Sequence, residues 1–218
     1  MAQESEMQTY YSARAAEYDR VYAKPERQAD LRSIEQWLTP RFFRRRVLEV
    51  ACGTGYWTQF IAPAATSVVA LDSSPETVHI ARGRLPKQVT FLIDDAYTLS
   101  CVDGRFDAAF AGFWFSHIPL GHRRSFLEKL GSVLEPSATV VLLDNRFVQG
   151  SSTPISRTDA DGNAFQIRDL DDGSRYEVLK NFPSEPELLA FIEGLGRTPR
   201  ITNWQHFWAL EYVTNPCS

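Results

Sequence analysis

The chain is poor in sulfur. Its three cysteines, Cys52, Cys101 and Cys217, lie far apart among 218 residues, and no two form a Cys-x-x-Cys pair. That spacing argues against a disulfide framework and against a zinc site, so reduced thiols in a cytoplasmic setting and no bound metal are expected. Basic charge is not in excess either, the formal net charge being −4. Nucleic-acid binders draw much of their affinity from neutralising phosphates, so no nucleic-acid partner is expected. The one basic run, Arg41 to Arg46, is broken by Phe42 and Phe43 and reads as a solvated segment before a strand. No apolar run approaches the ~20 residues that span a bilayer. Met1-Ala2-Gln3-Glu4-Ser5-Glu6 lacks the basic start and apolar stretch of a signal peptide, and no membrane partner is expected.

What is present fits a folded domain. Hydrophobic residues make up 44% and charged residues 23%, and the length suits one sizeable α/β unit. Tyr11, Ala15, Tyr18 and Tyr22 form a stripe that predicts a helix over 10–23, and Leu31, Ile34 and Leu38 predict a second helix after Pro25. Apolar runs at 46–50, 67–71, 89–93, 106–111 and 139–143 read as buried strands. Between them lie helical segments from near Tyr56, from Ser74-Pro75, and from Arg123 to Leu134. This alternation predicts a Rossmann-like, seven-stranded, mostly parallel sheet with helices on both faces. In the tail, segments 165–170 and 176–180 flank Asp172-Gly173 as a hairpin. Ser184-x-x-Glu187 is a capping box, and 199–204 and 207–213 predict an antiparallel closing pair. The expectation is a single domain, with amino-terminal capping helices over 1–40, a core over 41–145, and the hairpin insertion and closing strands over 146–218.

Chemistry gathers where strands end. The stretch Glu49-Val50-Ala51-Cys52-Gly53-Thr54-Gly55 follows the first buried strand, and its glycines let backbone approach a ligand without a Cβ intervening. A dinucleotide-binding Gly-x-Gly-x-x-Gly would need a third glycine where Thr58 stands. Glu49 would repel a pyrophosphate yet attract an ammonium or sulfonium. Asp72 ends the second strand about twenty residues on, where a carboxylate can accept both hydroxyls of a ribose. Asp95, after the third strand, can accept the exocyclic amine of an adenine.

These stretches resemble a known family. Val47 to Gly55 looks like the first motif of the class I S-adenosylmethionine-dependent methyltransferases. Leu71-Asp72 resembles their second motif, Asp95-Ala96-Tyr97-Thr98-Leu99 their third, and Phe106-Asp107-Ala108-Ala109-Phe110 their strand-four motif. The resemblance covers roughly residues 10 to 145. It implies S-adenosylmethionine as cofactor and S-adenosylhomocysteine as product. Glu49, Ala51, Gly53 and Gly55 would line the methionine moiety, Asp72 and Ser73 the ribose, Asp95 and Ala96 the adenine. Gly112 and Phe113 would pass near the sulfonium, and Tyr18 resembles the amino-terminal cap of small-molecule members. Ala51 and Cys52 depart from the glycine or aspartate and small residue that many members carry, and backbone contacts are expected there.

The expected activity is methyl transfer to an oxygen or nitrogen atom of a small aromatic or amphipathic molecule. A protein or nucleic-acid methyltransferase, and a cofactor-binding module without catalysis, are the alternatives. Segment 113–119, Phe-Trp-Phe-Ser-His-Ile-Pro, is dense in aromatics, which stack on flat rings and attract cations. Tyr10, Tyr11, Trp57, Trp114 and Arg146 are the candidate acceptor contacts. Tyr97, Trp204 and Trp208 could add to the cleft, and Arg146 or Lys180 could hold an acceptor carboxylate. His117, just past strand four, is the candidate general base. His206 could face the cleft entrance, and Asp144-Asn145 is read as structural. A monomer or homodimer is expected.

Overall fold

The computed structural model describes residues 9–85 and 88–216, so Cys217 and Met1 to Glu6 lie outside the described residues. Five parallel strands build the centre: β1 Arg46–Val50, β2 Ser67–Asp72, β3 Val89–Ile93, β4 Phe106–Gly112 and β5 Leu134–Asn145. A small antiparallel sheet follows, with β6 Arg157–Thr158, β7 Ala164–Asp169 and β8 Arg175–Leu179. The last two strands are β9 Gly196–Asn203 and β10 Phe207–Thr214. The large sheet has the order β3-β2-β1-β4-β5-β10-β9, and β10 runs antiparallel to both neighbours. The expected seven-stranded sheet and its closing hairpin are therefore present.

The period-two alternation of strand side chains explains why these runs are apolar throughout. Leu48, Val50, Ala109, Ala111, Val140 and Leu142 point to one core, with Phe126, Leu127 and Leu130 of a covering helix. Val47, Ala108, Phe110, Val141 and Leu143 point to the other, where Leu31, Ile34 and Leu38 pack at 0% exposure. Those helices are α1 Gln28–Leu38 and, facing the first core, α4 Arg123–Ser132. Between them in sequence come α2 Thr58–Ile61 and α3 Pro75–Arg84, and α5 Glu185–Ile192 follows β8. Ser74 caps α3 by accepting from the Thr77 amide at 3.3 Å, and the Ser184 amide donates to Glu187 Oε2 at 2.7 Å at the start of α5.

Two expected helices differ. The segment after the glycine loop is α-helical only over Thr58–Ile61: Ala62 keeps helical angles, but Pro63 has no amide proton to continue the ladder. The amino-terminal stretch is helical at 9–13, then a 3-10 helix over Ala15–Tyr22. Tertiary contacts hold it there. Tyr22 stacks on Tyr56 with centroids 3.5 Å apart, and Asp19 accepts from Thr54 Oγ1 at 2.6 Å and from Arg84 Nη2 at 2.5 Å. This segment is thereby pinned across the glycine loop.

Candidate active site

A cavity opens at the carboxyl ends of β1 to β4, where Ala51 and Gly53, Asp72 and Ser73, Asp95 and Ala96, and Gly112 and Phe113 meet. Tyr11, Tyr18, Trp114 and His117 complete its wall together with Leu71, Ser74, Thr77 and Tyr97. Backbone strain marks its rim. Ala51 (φ 55°) and Phe113 (φ 60°) both hold the left-handed conformation that a Cβ disfavours, and both line the cavity.

Asp72 is the hinge of the site. Its Oδ2 accepts the Gly53 amide at 2.9 Å, and its Oδ1 accepts from the Ser74 amide at 3.0 Å and Thr77 Oγ1 at 3.2 Å. It thus ties the loop after β1 to the start of α3, and burial raises its pKa against those hydrogen bonds. The acidic pair after β3 divides its work. Asp94 is spent on its own turn, accepting from the Asp95 and Cys101 amides and from Ser100 Oγ at 2.8–2.9 Å. Asp95 is the exposed member that reaches the cavity wall.

The two loop glycines have separate causes. A Cβ on Gly53 would sit 3.3 Å from the Tyr18 ring, which lies across the loop on the cavity side. A Cβ on Gly55 would fall 2.6 Å from Leu85 Cδ1 and 3.2 Å from Ala81 Cβ, so Gly55 serves packing against α3 and does not line the cavity. Glu49 also lies outside the cavity wall. Strand alternation turns it into the core beside Thr58, 1% exposed, where burial pushes its carboxyl up to about 8 against the Thr58 hydroxyl. Trp57 is likewise core: it meets Tyr22, Phe110 and Phe113 edge-on, and its ring fills the space that a side chain on Gly112 would need. Arg146 is exposed and donates to the Trp204 carbonyl at 2.9 Å, away from the cavity. His206 is buried against Asp30, 3.0 Å away, and does not face an entrance. Trp208 is core, and Trp204 packs edge-on to Trp37.

His117 is 4% exposed. Its Nδ1 lies 2.7 Å from the Leu179 carbonyl and must donate to it, so in the neutral ring Nε2 accepts from the Tyr11 hydroxyl at 2.9 Å. Burial, then the charges of Lys180 and Arg168, hold its pKa well below 6.5. Burial and Arg168 likewise lower Lys180, to about 8, although Asp144 lies 2.9 Å from it. Asp144 is fully buried. Burial alone would raise it, but Lys180, His117 and the Ser116 amide (2.8 Å) bring it down to about 2.

A second chamber adjoins the first. Tyr11, Tyr18, Phe113 and His117 line both, and Tyr10 lies in its wall with its hydroxyl accepting from Arg14 at 2.8 Å. Sequence reasoning missed most of this chamber: Arg14, Lys24, Arg27, Gln166 and Arg168 also line it. The available signal was Gln166-x-Arg168, two polar residues on one face of the expected hairpin strand.

The first cavity suits S-adenosylmethionine. It offers close-approaching loop backbone at Ala51 and Gly53, an apolar strip at Leu71, Ala96 and Phe113, and carboxylates at Asp72 and Asp95. Residues 47–137 match a family profile described as a methyltransferase domain. The chain is 30% identical over 167 residues to a probable S-adenosylmethionine-dependent methyltransferase of Mycolicibacterium smegmatis, an alignment taking in 75% of this chain and 61% of that protein. It spans less than two thirds of the length of the curated relatives it matches. Among solved structures, a DhpI–SAH complex superposes with a TM-score of 0.82 at 28% identity, covering 99% of this chain and 98% of the other. A DhpI–SAM–HEP complex gives 0.81 at 26%, covering 96% and 97%. Shared motifs, fold and site geometry place the chain in the class I S-adenosylmethionine-dependent methyltransferase superfamily, to which it belongs.

Proposed function

We propose that this protein transfers the methyl group of S-adenosylmethionine to an oxygen or nitrogen atom of a small, amphipathic molecule. The observation that carries the reading is the pair of joined chambers, which share Tyr11, Tyr18, Phe113 and His117 as their common wall. One chamber has the lining for an adenosine with an amino-acid tail. The other has an aromatic side and a polar side, as an amphipathic acceptor needs.

Bound S-adenosylmethionine supplies an electrophilic methyl group on a sulfonium. The residues of this chain bind, orient and exclude water. Asp72 holds the ribose, with Ser73 beside it, and Asp95 with Ala96 meets the adenine. The backbone of Ala51 and Gly53 follows the methionine moiety, with Tyr18 closing over it. Gly112 and Phe113 bring β4 up to the sulfonium, Trp114 stays on the cofactor side, and Tyr11, in the shared wall, faces the acceptor. His117 Nε2 takes the acceptor's proton, directly or through the Tyr11 hydroxyl it now accepts from, because the ring is neutral at working pH. The Leu179 carbonyl fixes its tautomer, and the buried Asp144–Lys180 pair is anchored on the neighbouring Ser116.

Isothermal titration with S-adenosylhomocysteine, followed by transfer of labelled methyl to a panel of small hydroxyl and amine acceptors, tests this. Saturable binding at one site and label on a small acceptor are expected. Absence of binding, or label transferred only to protein or nucleic acid, would overturn it.

A further inference from the structure

Six cationic side chains line the second chamber: Arg14, Arg20, Lys24, Arg27, Arg168 and Lys180. Three carboxylates line it as well, but all three are engaged in exposed pairs. Glu17 and Asp171 pair with Arg20 at 3.3 and 2.6 Å, and Asp169 pairs with Arg175 at 2.8 Å. Lys180 has Asp144. Among the described residues, Arg14, Lys24, Arg27 and Arg168 have no carboxylate within ion-pair distance.

Their hydrogen bonds are to neutral oxygens. Lys24 Nζ donates to the Ser151 carbonyl at 2.6 Å. Arg27, 5% exposed, donates to Ser151 Oγ at 3.1 Å and to Asn145 Oδ1 at 2.9 Å. Arg168 donates to Gln166 Oε1 at 3.0 Å. Such partners aim a cation without neutralising it. The cost is visible as repulsion from Arg168, whose charge, besides burial, lowers the pKa of Lys24, Arg27, Lys180 and His117. Glu26 and Asp30 act on Arg27 from farther off, and they are hydrogen-bonded to Ser151 and His206 instead. Like charges held together in a sheltered chamber are stabilised when an anion sits among them. Guanidinium forks suit an oxyanion, and Lys180 spends two of its three protons on Ser116 and Asp144, leaving one.

We propose that this chamber binds an oxyanion group, a carboxylate or a phosphate-type group, carried by the methyl acceptor. Arg168, Arg27 and Lys180 supply the N–H donors, and the acceptor's apolar part points to the throat formed by Tyr11 and Phe113. The word acceptor rests on the methyl-transfer reading; the oxyanion site does not. Arg168 is the residue that decides specificity, because it lines the chamber without a carboxylate partner and its charge reaches Lys24, Arg27, Lys180 and His117.

The test is titration of the protein saturated with S-adenosylhomocysteine against phenylphosphonate, phenylacetate and the neutral phenylacetamide. Either anion is expected to bind at least about tenfold tighter than the amide, a difference of about 1.4 kcal/mol. The two anions tell the phosphate-type group from the carboxylate. Arg168→Gln should abolish the preference while S-adenosylhomocysteine affinity stays within about threefold, and the remote, exposed Arg197→Gln should leave both unchanged. Equal affinity for amide and anions, or a preference that survives Arg168→Gln, overturns the oxyanion site. If S-adenosylhomocysteine fails to bind while the anion preference persists, the methyl-transfer reading falls and the site stands.

Discussion

Glu49→Gln should make the protein more stable, by an amount that grows with pH. The side chain is 1% exposed and its Oε2 has no hydrogen-bond partner among the described residues. Burial pushes its pKa from the usual 4.5 to about 8. A raised acid keeps its proton in the folded state while the unfolded chain gives its proton up. Its folded-state stability is therefore complete below 4.5, drains away between 4.5 and about 8, and levels off above. Each pH unit in that window costs about 1.4 kcal/mol. At pH 7 the loss is roughly 3 kcal/mol, against roughly 1 kcal/mol at pH 5. Glutamine has the shape of the protonated acid and cannot ionise, so the variant escapes this loss. Urea denaturation of both proteins at pH 5, 6, 7 and 8, without cofactor, measures the gap. A gap that stays constant across that range would refute the reasoning, since it would mean that Glu49 titrates alike in both states.

Asp72→Asn keeps the shape of the hinge but loses its charge and sets an N–H against the Gly53 or Ser74 amide. S-adenosylhomocysteine should bind roughly ten- to hundredfold more weakly, about 1.5–3 kcal/mol, and unchanged affinity in a titration would place the ribose elsewhere. Gly112→Ala would put a Cβ 2.7 Å from Trp57 Cδ1 and 2.9 Å from the Phe110 ring. It should destabilise the fold by about 1–3 kcal/mol, and a melting temperature equal to the parent's would show that Trp57 moves freely. His117 should stay neutral with its proton on Nδ1 from pH 8 down through 6. Its lowered pKa means a stability contribution present above 6.5 and lost as pH falls below it. Imidazole nitrogen NMR shifts report this, and a titration centred at 6.5 would contradict the buried geometry.

Legibility in the sequence followed the range of the interaction. Strands β1 to β5 could be read because each carries a short, mostly apolar run, and no distant partner is needed to see that. The loop after β1 was legible as a close-approach site, yet the glycines could not be told apart. Gly53 faces Tyr18 and Gly55 faces Leu85, and both neighbours are about thirty residues away. The direction of the Glu49 side chain was hidden for a related reason. A carboxylate before a glycine loop reads as a ligand contact, but strand alternation sends its side chain beneath the loop. Trp57 and Arg146 lie outside both cavity walls, and an aromatic or a cation near a site in sequence carries no statement of which face it takes. The 3-10 helix over Ala15–Tyr22 has the apolar stripe of an α-helix, and only its contacts with Tyr56, Thr54 and Arg84 hold it tighter.

The boundary between what was read and what was missed coincides with a division in the molecule. The methyltransferase profile matches residues 47–137, and that stretch contributes Ala51, Gly53, Asp72, Asp95, Phe113 and His117 to the first chamber. Every cation of the second chamber lies outside it. Arg14, Lys24 and Arg27 come from the amino-terminal segment, and Arg168 and Lys180 come from the small sheet and its exit. That sheet is fastened to the end of β4's loop by the Asn181 amide on the Ser116 carbonyl at 2.8 Å, which brings Lys180 and Arg168 up to His117. A parallel sheet with a glycine loop is enough to present the cofactor cavity, whatever is attached beyond it. The wall of the second chamber is assembled from segments more than 130 residues apart, none of which has a motif of its own. A sequence pattern can therefore report the cofactor while staying silent on the acceptor, and the charge of the second wall becomes visible only when the fold brings its two halves together.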